Sequence, residues 1–102
     1  MRIAVTGCTG FIGSGVMRRA RQESWDALGL ARRAEGQGVV ACDLRAPGEI
    51  AKALEGLSVD CVVHAAAATR RDIPDAEAGY ANNVASTVNL AHAAISAGVK
   101  RL

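Results

Sequence analysis

Two rhythms of apolar and polar positions alternate along this chain. "RIAV" (Arg2 to Val5) is a short apolar, β-branched run that breaks off at a glycine-rich stretch, the pattern of a buried strand. From Phe11 to Gln22 the period lengthens. Ile12, Val16 and Ala20 recur at four-residue spacing while Arg18, Arg19, Arg21 and Gln22 fall opposite, which predicts an amphipathic helix buried on the Ile12–Val16–Ala20 side. "DALGLA" (Asp26 to Ala31) predicts a second strand, and "VVAC" (Val39 to Cys42) a third, separated by a polar link from Arg32 to Gly38. Pro47 suits the first turn of a helix whose apolar side is Ile50, Ala53, Leu54 and Leu57. "DCVVHAAA" (Asp60 to Ala67) reads as a fourth strand, apolar on both faces as a central parallel strand is. A long helix follows from about Asp75 to Ala97. Val84, Val88, Ala91 and Ile95 give it an apolar stripe and Gly98 a C-terminal cap. "VKRL" then opens a fifth strand.

Strands alternating with helices predict a parallel sheet covered on both faces. One connection resists. The link between the second and third strands has about seven residues, where a parallel crossover usually takes about a dozen. Either the strands are shorter than their apolar runs, or the crossover is a bare loop.

Composition narrows the function. With 102 residues there is room for one small domain. Half the residues are hydrophobic and only 3% aromatic, which suits close helix-on-sheet packing. A net charge of +2, with arginines in pairs and no interleaved aromatics, argues against a nucleic-acid partner. The odd cysteine count, with Cys42 and Cys61 inside apolar runs, reads as small buried hydrophobes in a reducing cytoplasm. Cys61 and His64 have a metal-like spacing, but residues three apart on a strand face opposite ways, and no second pair completes a site. No metal is expected. No window approaches the roughly 20 apolar residues of a membrane span.

The chemistry is concentrated in "TGCTGFIG" (Thr6 to Gly13). Gly7 permits a tight turn off the strand, Gly10 lets a pyrophosphate approach the backbone, and Gly13 lets the helix pack closely. The N–H groups that open the helix lack internal partners and carry the positive end of its dipole, so they favour a phosphate. A packing turn without a ligand is the alternative. The position of the stretch between a strand and a helix, at the head of an alternating pattern, favours the cradle.

T-G-x-x-G-F-I-G at the N-terminus resembles the extended short-chain dehydrogenase/reductase family, the NAD(P)-dependent epimerases, dehydratases and reductases of sugars and related compounds. The resemblance runs through "CDLRAPGEIAKALEG" (Cys42 to Gly56), the H-x-A-A ending of "VDCVVHAAA", and "NNVASTVNLAHAAISAGVKRL" (Asn82 to Leu102), in family order. It implies a Rossmann-type doubly wound α/β sheet over residues 1–102, incomplete, with about four strands and three helices and cut in the fifth strand. It also implies a dinucleotide held by Gly7, Thr9, Gly10, Phe11, Ile12 and Gly13, by Asp43 and Leu44 at the adenine, and by the backbone of Ala65, Ala66 and Ala67.

Two departures matter. Ser86 stands where the family usually has glycine. At the end of the second strand, where NAD-preferring members place an acid, this chain has Ala31 followed by Arg32 and Arg33. That leaves room and charge for a 2′-phosphate, so NADP is the expected cofactor, with NAD as the alternative. The family's catalytic pair is Tyr-x-x-x-Lys, and it is missing: the one tyrosine, Tyr80, is followed four residues later by Val84. Asn83 matches a helix asparagine that supports the family's active site. His64 and His92 read as a strand-end and a helix-surface residue. The expectation is the dinucleotide-binding part of an oxidoreductase, epimerase or dehydratase, inactive alone. A stand-alone NADP(H) sensor and an interaction fragment with a vestigial site are the other readings. An apolar fourth strand with an open outer edge further predicts self-association.

Overall fold

The computed structural model describes residues 1–102. Four strands, β1 (Arg2–Thr6), β2 (Asp26–Ala31), β3 (Val39–Ala41) and β4 (Cys61–His64), form one sheet in the order β3-β2-β1-β4, every pair parallel. Three helices cover it: α1 (Phe11–Gln22) on one face, and α2 (Pro47–Leu54) with α3 (Ala76–Ser96) on the other. The predicted alternation is therefore present. Its short crossover is a bare loop, and Gly36 and Gly38 take positive φ (103° and 73°) to carry the chain from β2 to β3.

Strand alternation divides the core. Ile3 and Val5 of β1 meet Met17 and Ala20 of α1, together with Cys8. Ala4 of the same strand meets Leu30, Val62, Ile50, Leu54 and Leu90 beneath α2 and α3. β4 is apolar on both sides as expected, with Val62 in the second cluster and Cys61 and Val63 against the first. It is shorter than its apolar run. After His64 the chain leaves the sheet, and the N–H groups of Ala65 and Ala66 bond the Thr6 side-chain hydroxyl at 3.2 Å instead of the backbone of a neighbouring strand. The fifth strand begins where predicted, as a parallel bridge between Cys61 and Arg101.

Two helix faces differ from their periodicity. On α1 the buried residues are Gly13, Met17 and Ala20, and Ile12 is 71% exposed. On α3 the buried side is Gly79, Ser86, Leu90, Ala93 and Ala94, whereas Val84, Val88 and Ile95 face outward. Hydrogen bonds and close approach select the α3 face. Asn89 donates to the Leu44 carbonyl at 3.0 Å and Asn83 grips the backbone of Ala68, so the polar side of the helix must turn toward the sheet and α2. Small residues there let the helix lie close.

Candidate functional site

β1 and β4 are neighbours although two strands intervene in sequence, so the chain reverses its direction of travel across the sheet between them. A crevice outside the C-terminal ends of the strands at such a point is where open α/β sheets bind ligands. The glycine stretch lies there. Gly7 has φ +63°, and a Cβ on it would sit 2.7 Å from the Ala66 nitrogen, so the loop touches the end of β4 as only glycine can. Gly10 donates to the Gly7 carbonyl at 3.0 Å and caps α1 in extended geometry. A Cβ on Gly10 would meet only that carbonyl, at 3.4 Å, so the position opens onto the cleft. A Cβ on Gly13 would lie 2.0 Å from the Gly7 oxygen. Gly13 therefore closes the helix onto its own entry loop, a tighter constraint than the helix-on-sheet packing anticipated for it.

The first-turn N–H groups of α1 have no helical partners, and this turn carries no acidic residue, unlike the first turns of α2 (Glu49) and α3 (Glu77). Phe11 is 96% exposed. The Phe11 and Ile12 side chains both point into solvent at the helix start.

The cleft has a volume of about 670 Å³ and runs from Gly7, Thr9 and Gly10 across Ala65, Ala66 and Ala67 to Arg32, Asp43 and Leu44, with Asn83 on its α3 wall. Those ten anticipated residues share one space. Phe11, Ile12 and Gly13 lie outside its lining, at the helix start. Arg33 does not line it either; its guanidinium is 4.0 Å from Glu35 and its side chain is 86% exposed. Ser86, Asp72 and Arg45 line the cleft without having been assigned to it from sequence.

Charge gathers at the end remote from the glycines. Arg45 donates through its guanidinium to both Asp43 carboxylate oxygens, at 3.1 and 2.9 Å, and through its backbone N–H at 2.9 Å. These bonds hold the Asp43 carboxyl at a pKa of about 2. Sequence reasoning missed Arg45 because it lies two residues from its partner on a turn, where no periodicity marks a pair. Arg32 has no ion-pair partner, although its charge acts on both Asp43 and Asp72. Burial raises the Cys42 thiol to about 11, so it stays protonated. Asn83 accepts from the Ala68 N–H at 2.7 Å and donates to the Ala68 carbonyl at 3.0 Å, clamping the loop that follows β4. Cys61 and His64 point to opposite faces, Cys61 toward α1 and His64 toward α3, and no group of metal-ligating side chains forms anywhere in the chain.

The sequence profile of the NAD dependent epimerase/dehydratase family matches residues 3–102. This chain belongs to that family. Its fold is similar to that of a short-chain dehydrogenase/reductase superfamily protein from Agrobacterium tumefaciens with bound NAD, with a TM-score of 0.83 and 31% identity over 99% of this chain and 31% of that one. It is also similar to the Bordetella bronchiseptica enzyme WbmG in complex with NAD and UDP, with a TM-score of 0.84 and 31% identity over 100% of this chain and 36% of that one. Among curated proteins, subunit beta of methionine adenosyltransferase 2 from Danio rerio is 30% identical over 81% of this chain and 26% of its own length. The chain thus spans about a third of each solved relative and about a quarter of the curated one.

Proposed function

We propose that this chain is the dinucleotide-binding domain, over residues 1–102, of an NAD(P)-dependent epimerase, dehydratase or reductase acting on nucleotide-sugar-like or carbonyl substrates. The observation that carries the reading is the glycine loop. Two of its glycines cannot bear a side chain without backbone collision, while Gly10, between them, lines the cleft and with a Cβ would meet only the Gly7 carbonyl, at 3.4 Å. A ligand that must touch backbone explains that arrangement. The pyrophosphate would lie on the N–H groups opening α1, and the adenine and its ribose would lie toward Asp43, Leu44 and Arg32. The nicotinamide supplies hydride chemistry when bound.

The same reading favours NADP over NAD. Ala31 offers no acid to the ribose hydroxyls, and the unpaired Arg32 at the cleft can meet a 2′-phosphate. Titration of the chain with both dinucleotides, repeated on Arg32→Ala, tests it. NADP(H) should bind more tightly, and the variant should lose that margin, on the order of 1.5–3 kcal/mol before solvent screening. Equal affinities in the parent chain would remove the preference.

The chain alone should not turn over substrate. Tyr80 is 73% exposed on α3 and Val84 stands where the partner lysine would be. Three unpaired thiols accord with a reducing cytoplasm. Self-association through the outer edge of β4 is part of the same proposal, since only the bridge at Arg101 covers that edge. Sedimentation at several concentrations would detect it.

A further inference from the structure

Thr6 and His64 are paired across β1 and β4, and their side chains make a hydrogen-bond chain in which every hydrogen can be placed. The fully buried Thr6 hydroxyl accepts from the N–H groups of Ala65 and Ala66, both at 3.2 Å. Those two bonds use both of its lone pairs. Its own hydrogen must therefore go to His64 Nδ1, 2.7 Å away. Nδ1 being an acceptor, the ring proton of a neutral imidazole sits on Nε2, which donates to Thr87 Oγ1 at 3.0 Å. Thr87 in turn donates to the Asn83 carbonyl at 2.8 Å. The opposite tautomer would aim a third donor at a saturated hydroxyl, and an imidazolium would do the same.

The backbone so held is a wall of the cleft. Ala65 and Ala66 line it, and Ala66 is the group that Gly7 approaches so closely that no Cβ fits between them. His64 itself does not line the cleft. We propose that His64 is a positioning residue for the dinucleotide site: held neutral with its proton on Nε2, it lets Thr6 fix the Ala65–Ala66 backbone against the glycine loop, so that protonating it loosens the site and weakens dinucleotide binding at acid pH. Burial depresses its basicity below the ordinary histidine value of 6.5, and the hydrogen bond from Thr6 to Nδ1 acts in the same direction. The titratable groups on the packed elements are Arg2 on β1, Cys61 on β4, and Glu77, Tyr80 and His92 on α3, and none of them acts on the ring.

The inference rests on the dinucleotide reading, and two measurements separate their failures. The first needs no ligand: nitrogen-detected NMR of the histidine rings reports the tautomer and titration of His64 in the chain as it stands. A neutral Nε2–H ring that protonates below 6.5 is expected. A neutral Nδ1–H ring would overturn the proposal. The second is affinity for NAD, whose pyrophosphate keeps its charge, between about pH 5 and 8. Binding should be flat above the His64 titration and then fall by up to about tenfold per pH unit below it. Affinity that stays level or rises while His64 protonates would overturn the proposal too. His64→Asn places an amide oxygen where Nδ1 was and cannot titrate, so the acid loss should vanish. His64→Leu leaves the Thr6 hydroxyl without an acceptor and should bind more weakly at every pH. An acid loss that persists unchanged in His64→Asn would assign the effect elsewhere. Absence of NAD binding at every pH, with the Nε2–H ring in place, would instead refute the dinucleotide reading.

Discussion

The two ends of the cleft are made of different material. At the glycine end the wall is backbone, Gly7 against Ala65 and Ala66, backed by Gly13 against the Gly7 carbonyl, with no space for a Cβ at either glycine. At the far end the wall is charged side chains, Arg32, Asp43 and Arg45, around a partly exposed turn. Sterics fix the first end, because a packed backbone resists displacement by even a methyl group. The second is held by bonds between side chains that water can replace. On the proposed dinucleotide reading, the glycine end would demand a pyrophosphate, whereas the charged end would only bias the choice between related ligands.

The sharpest way to break this contrast is at Gly13. Gly13→Ala puts a methyl carbon 2.0 Å from the Gly7 oxygen and 2.6 Å from its carbonyl carbon, both backbone atoms. The start of α1 or the whole loop must shift. A destabilisation of about 3 kcal/mol is expected, at the upper end of ordinary overpacking, with a lowered denaturant midpoint as the readout. A variant as stable as the parent chain would mean that the loop is softer than its contacts indicate.

Gly10→Val sharpens the comparison, because it alters the same loop without a collision. Gly10 has φ −80° and ψ 175°, ordinary extended values for any residue, and its nearest Cβ contact would be 3.4 Å. Stability should change by no more than about 1 kcal/mol, the loss of a tolerable helix cap. Dinucleotide affinity should fall by about a hundredfold or more, roughly 2.7 kcal/mol, because on the proposed reading the side chain would occupy the pyrophosphate position. Folding with parent affinity would place the phosphate elsewhere.

The same division explains what could be read from the sequence. The strands and the glycine loop were legible because runs such as "RIAV" and the T-G-x-x-G-F-I-G stretch encode local conformation directly. The face of α3 was not. Val84, Val88 and Ile95 do share one side, yet Asn83, Asn89 and the small residues Ser86, Ala93 and Ala94 choose the inward one through contacts with distant segments. The end of β4 was overextended for a similar reason. Ala65 and Ala66 are apolar enough to continue a strand, but the hydroxyl of Thr6, far away in sequence, takes their N–H groups. Nine of the residues expected at the cofactor, and Asn83, line one cleft, because the glycine loop and strand ends are set by topology. Arg45 and the Thr6–His64 pair were invisible, since nothing in their spacing announces a partner.

The smallest effect is expected at the charged end. Arg45→Ala removes the two guanidinium hydrogen bonds from the Asp43 carboxylate and keeps the one donated by the backbone N–H of residue 45. Asp43 should then titrate above about 2 but still below the ordinary aspartate value of 3.8, since the backbone N–H and the Arg32 charge remain, and carboxyl NMR can follow the rise. The sign follows from the depressed pKa. The parent chain gains from the ionised carboxylate above 3.8 and loses that gain as pH falls toward about 2. The variant should therefore match the parent chain more closely at the acid end than at neutral pH. The pair is largely solvated, with side-chain exposures of 58% for Arg45 and 30% for Asp43, so the gain itself is small. Dinucleotide affinity should change by no more than about threefold, since a released Asp43 can still reach an adenine. A loss as large as that of Gly10→Val would show that the charged end is as rigid as the glycine end, and that Arg45 holds the ligand and not merely Asp43.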